Sequence, residues 1–81
     1  MSRHFLHDNY KINVKPGTFM FYAKQAANCE NLEKYIEAEE LWGMAERRAV
    51  LDNNRDWAKA RHDYCERVIR LNGIKRPKAV Q

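Results

Sequence analysis

The chain is 81 residues long, 44% hydrophobic and 32% charged, with three Gly and two Pro. This is the composition of one globular, helix-favouring domain; it excludes a wholly disordered chain, a multidomain enzyme and a disulfide scaffold. The formal charge of +4 is banded: residues 1 to 27 carry four Lys/Arg against one acid, residues 28 to 46 one against six, and residues 47 to 81 ten against four. Such banding suits docking on a charged protein surface at least as well as on nucleic acid.

The first segment, residues 1 to 17, lacks a helical period and has no apolar run long enough for a signal peptide or a membrane span. The expectation is a cytoplasmic protein. Tyr10, Ile12 and Val14 alternate with Lys11, Asn13 and Lys15 before Pro16-Gly17, the pattern of a short strand or extended arm. A lone strand leaves its backbone unsatisfied, so an ordered arm pairs with a second copy or a partner; a frayed terminus is the other reading.

Thr18 is a suitable N-cap for a first helix ending near Leu32, with Phe19, Met20, Tyr22, Ala23, Ala26, Ala27 and Cys29 on a broad apolar face. Asn31 and Glu33-Lys34 mark the turn. A second helix from Tyr35 to about Val50 aligns Ala38, Leu41, Trp42, Ala45 and Ala49 on one stripe. Its acids gather toward the positive end of the helix dipole. Gly43 within it costs about 1 kcal/mol relative to Ala, which points to another backbone or a ring approaching there.

Asp52-Asn53-Asn54 interrupts the period, and Asn53 or Asn54 is suited to cap a third helix. Trp57, Arg61, Tyr64, Cys65, Val68 and Leu71 share one face of it, and Asn72-Gly73 ends it. Residues 73 to 81 form a basic tail. The sequence thus predicts an all-α, three-helix domain over residues 18 to 72, flanked by the arm and the tail. With a core this small, about 3 to 5 kcal/mol of stability is usual, so a homodimer or completion by a target is expected.

Tyr22, Ala26, Tyr35, Ala38, Trp42 and Ala45 repeat at the spacing of one tetratricopeptide-like helical hairpin, which the third helix would cap. Over residues 19 to 66 the chain more closely resembles the ANR family of small bacterial AraC negative regulators. The matching residues are Tyr22, Ala26, Ala27, Glu30, Tyr35, Ala38, Leu41, Trp42, Ala45, Ala49, Asn54, Arg55, Trp57, Ala58, Arg61 and Cys65. The resemblance implies a non-enzymatic regulator that binds an AraC/XylS-type activator, often of virulence genes, and blocks its dimerisation or DNA engagement. It also implies a link to nucleoid-structuring proteins. The PerC-like regulators carry a similar arrangement and are associated with activation.

Set against these functional readings, Trp42 and Trp57 are expected as core anchors, and Ala26, Ala38 and Ala45 as packing positions. Arg55 and Arg61 suit ion pairs with acids such as Glu30 or Glu46, stacking on an aromatic ring, or pairing with a partner's carboxylates. Phe19, Phe21, Ile36 and Met44 are apolar residues off the densest stripes; with Tyr22, Arg55 and Arg61 they are the candidate partner-binding set. Cys29 and Cys65 form no C-x-x-C pair, and His62-x-x-Cys65, even with Cys29, His4 or His7, is a poor basis for a metal site. No catalytic constellation and no cofactor motif is present. Lys75, Arg76 and Lys78 carry the alternative function, a DNA- or nucleoid-associated regulator acting through its basic surface.

Overall fold

The computed structural model describes residues 15 to 77, and these form three α-helices with no strand among the described residues. Helix α1 spans Phe19–Asn31, α2 Tyr35–Arg48 and α3 Asp52–Leu71. The all-α, three-helix architecture expected from the periodicities is therefore present. The arm residues Tyr10, Ile12 and Val14, and Lys78 in the tail, lie outside the described residues.

Local signals set the helix ends. Thr18 Oγ1 accepts a hydrogen bond from the Phe21 amide at 3.3 Å and donates to the Lys15 carbonyl at 2.8 Å, closing the first turn of α1 as an N-cap should. At the other end of α1, Glu33 adopts φ 60°. The Lys34 amide donates to Cys29 O and the Glu33 amide to Glu30 O, the paired pattern that satisfies terminal carbonyls. Gly73, at φ 64°, repeats it after α3, where the amides of Ile74 and Gly73 donate to Ile69 O and Arg70 O.

Helix α3 begins earlier than the asparagines suggest. Leu51 occupies the cap position without a side-chain bond, and Asn53 and Asn54 lie inside the first turn. The turn is instead fastened by Arg55, whose guanidinium donates to Asp52 Oδ1 at 2.6 Å and to the Ala49 carbonyl at 3.2 Å. One side chain thus ties the last carbonyl of the α2 segment to the start of α3.

Helix α2 is central and packs against both α1 and α3. The alanine stripe explains how: Ala26, Ala38, Ala45 and Ala58 are fully buried, and with no side chain beyond Cβ they let the helix backbones approach closely. Trp42 and Cys65 fill the space left between them. On α3 the buried residues are Ala58, Cys65 and Ile69, rather than a stripe running from Trp57 to Leu71. Leu71 is exposed, and Trp57 stands 48% exposed at the edge of the core, a correction to its expected role as a buried anchor. Small Ala58 takes the contact with the neighbouring helices, which rotates Trp57 to the rim. No helix among the described residues is long and apolar enough to cross a membrane.

Candidate functional site

Two side-chain assemblies join α1 to α3 across the central helix. The first is polar and centres on Glu30, near the C-terminus of α1. Its Oε2 accepts from the Trp42 indole Nε1 at 2.6 Å, from Arg61 Nε at 3.2 Å and from Cys65 Sγ at 3.6 Å, while Oε1 pairs with Arg61 Nη2. One carboxylate therefore ties all three helices together. A buried indole N–H requires an acceptor, and a shielded carboxylate requires a cation; each meets the other's need here.

The electrostatics follow from this geometry. The hydrogen bonds to Glu30 hold the Arg61 guanidinium still more firmly protonated than usual, and its plane lies 4.4 Å over the Tyr64 ring. Burial, reinforced by the Glu30 charge, pushes the Cys65 thiol up to about 12. Burial also raises the Cys29 thiol. Neither cysteine is a thiolate at neutral pH, so neither is an activated nucleophile. Among the described residues no group of three or more His, Cys, Asp or Glu is placed to hold a metal ion.

The second assembly is aromatic. Trp57 meets Trp42 edge-on, with ring centroids 4.9 Å apart and planes at 78°, and Phe19 at 6.1 Å. Trp42 is 1% exposed and is itself fixed by Glu30. Trp57 is thus a large, half-exposed ring whose inner edge is held by buried aromatics. Tyr22, one turn along α1 from Phe19, is half-buried, and Phe21 meets its ring at 5.1 Å.

These positions sort the candidate partner-binding residues. Phe19 is 9% exposed and belongs to the core, so it supports Trp57 from behind and does not offer a surface of its own. Arg61 is committed to Glu30, and Arg55 to the α2–α3 turn. Phe21, Tyr22 and Ile36 are half-buried, and Met44 lies exposed beside a groove between α2 and α3. Trp57 is the surface residue that sequence reasoning misplaced: its helical phase put it on the same face as Cys65, and only the packing partner decides which edge of a face is covered.

The tail is also engaged. Arg76 forks onto Glu39 of α2, with Nη1 2.5 Å from Oε1 and Nη2 3.2 Å from Oε2, and the contact keeps its guanidinium firmly charged. The same Glu39 carboxylate lies 3.8 Å from His62 Nε2. Of the three cations assigned to the nucleic-acid alternative, Arg76 therefore already has a carboxylate partner, whereas Lys75 is exposed.

A protein in the Mu-like prophage FluMu region of Haemophilus influenzae, itself uncharacterized, is 40% identical to this chain over 50 residues, covering 62% of this chain and 67% of that protein. The chain belongs to the family of this prophage protein. No family model and no solved structure matches it. Within this prophage-protein family the structure supplies the chemistry: a three-helix body closed by a shielded Glu30 node, with one rigid aromatic ring displayed at its rim.

Proposed function

We propose that the protein is a small transcriptional regulator that binds an AraC/XylS-family activator and inhibits it by blocking dimerisation or DNA binding. The observation that carries a protein-docking role is Trp57. A half-exposed tryptophan braced by Trp42 and Phe19 loses little freedom on binding and presents a large apolar edge. Such preorganised aromatic anchors dominate the energetics of protein interfaces.

The choice of activator class is supported by the ANR resemblance. Of the residues that carry it, Glu30, Trp42, Arg61 and Cys65 are accounted for by the polar node, and Ala26, Ala38, Ala45 and Ala58 by helix packing. Trp57 is the large apolar member of that set that the fold leaves half outside. The relative's place in a prophage region suits a regulator carried on mobile DNA, and a cytoplasmic, homodimeric protein is the setting in which this reading applies.

The test is size-resolved binding of the purified full chain to an AraC-type activator at physiological salt, with promoter DNA as competitor. The expected result is a stable protein complex that releases the activator from DNA. Trp57→Ala, checked for retained helicity, should weaken the complex by at least about 2 kcal/mol, the usual scale of an interface anchor. A chain that bound DNA while ignoring the activator would overturn the reading and favour the basic-surface alternative.

A further inference from the structure

The chain reverses direction at Gly73, and what it reaches after the reversal defines a second site. Residues 74 to 76 lie against the last turns of α3, where Ile74 is half-buried beside Ile69, and they deliver Arg76 to Glu39 on α2. Ile69 is 4% exposed although it lies outside the main core cluster. Beside Glu39 an open groove of about 380 Å³ continues between α2 and α3, lined by Glu39, Glu40, Gly43, Met44, Arg47 and His62.

We propose that this groove is a docking site for an arginine-bearing segment of a protein partner, and that the chain's own tail, through Arg76, is its resident competitor. The seated guanidinium shows which group Glu39 accepts. Both nitrogens face both carboxylate oxygens, a forked arrangement that an ammonium cannot reproduce. The Glu39 side chain is only 11% exposed, so its charge requires a cation whether or not the tail is in place.

The Arg76 side chain, by contrast, is 47% exposed and sits on a short non-helical segment flanked by exposed Lys75 and Pro77. It can be replaced without unfolding a helix. A partner segment that set its own arginine on Glu39 and continued along the groove would gain contacts that Arg76 does not make. It would pass the Glu40 carboxylate, the His62 ring beside Gly43 and the Met44 side chain. Arg47 at the same groove repels a second cation, so one arginine followed by an apolar or hydroxylated stretch is the chemistry that fits. The groove uses none of the Trp57 rim and does not depend on the activator reading.

The probe is a labelled peptide with the sequence of residues 73 to 81 and alanine in place of its two lysines, titrated into the full-length protein and followed by fluorescence anisotropy. Arg76→Ala should bind it about tenfold tighter than the wild-type chain, as expected if the resident tail fills the site nine-tenths of the time. Adding Glu39→Gln to Arg76→Ala should abolish that binding, and a peptide with alanine in place of its arginine should not bind either. Equal affinity for the wild-type and Arg76→Ala chains, or binding that survives Glu39→Gln, would overturn the proposal. If Arg76→Ala does not fold, the wild-type chain titrated with excess peptide decides by NMR. Saturable shifts of the Gly43 amide and the His62 ring support the site, and their absence removes it.

Discussion

Removing the Glu30 carboxylate would leave the Trp42 indole and the Arg61 guanidinium without their shared acceptor in the middle of a small core. Breaking a buried pair costs about 3 to 5 kcal/mol, and the partial exposure of Arg61 brings the expected loss for Glu30→Ala nearer about 2 to 3 kcal/mol. Against a domain of about 3 to 5 kcal/mol that is close to unfolding. Urea denaturation followed by circular dichroism checks this, and a change below about 0.5 kcal/mol, the range of an ordinary surface substitution, would show the node to be incidental. Cys65, on the same carboxylate, gives a pH signature. Burial pushes its folded thiol up to about 12 from an ordinary value of 9.0, so the native state holds a proton that the unfolded chain releases. The stabilisation is complete below pH 9 and is lost as pH rises toward 12, at up to about 1.4 kcal/mol per pH unit. Cys65→Ala should flatten the stability profile in that window relative to wild type, and parallel profiles would contradict the assignment.

At the scale of the helices, Gly43 is the weak point of α2. A Cβ built there would meet His62 Cδ2 at 3.6 Å and Arg47 Nη1 at 3.8 Å, ordinary contact distances. Gly43→Ala should therefore remove the helix penalty without a clash, stabilising by up to about 1 kcal/mol and raising Tm by about 4 to 8 °C. A lower Tm in calorimetry would mean that the His62 approach is tighter than these distances. The three helices were legible in the sequence, as were the Thr18 cap and the stops at Glu33-Lys34 and Asn72-Gly73, because each depends on signals within a few residues; at Gly43, read as room for another backbone or a ring, the His62 ring does stand alongside, but far enough away to leave space for a Cβ. The start of α3 was not, because Arg55 closes that turn by reaching back to Ala49 across the chain, where a local rule favours Asn53 or Asn54. The exchange of roles between Phe19 and Trp57 has a similar cause. Periodicity assigns both to apolar faces, but the width of each face that a neighbour covers depends on how closely the alanines let α2 approach.

For the molecule as a whole, the two tryptophans occupy opposite extremes of one connected assembly, and this makes the docking surface measurable without any partner at hand. Trp42 is 1% exposed and hydrogen-bonded to Glu30, whereas Trp57, 4.9 Å from it, is 48% exposed. Wild-type emission should contain a component that acrylamide quenches readily, contributed by Trp57. In Trp57→Phe that component should disappear, leaving the blue-shifted, quencher-resistant emission of the buried indole, since Phe preserves an aromatic edge against Trp42 and Phe19. Helicity and Tm should change little, because a rim ring contributes less burial than a core ring. The quenchable component should also vanish from the wild-type chain when a regulator partner covers the rim, and it should persist when the probe peptide fills the Glu39 groove instead. Quenching that is unchanged in Trp57→Phe would place the exposed indole at Trp42 and remove the braced rim ring from which the docking role is argued.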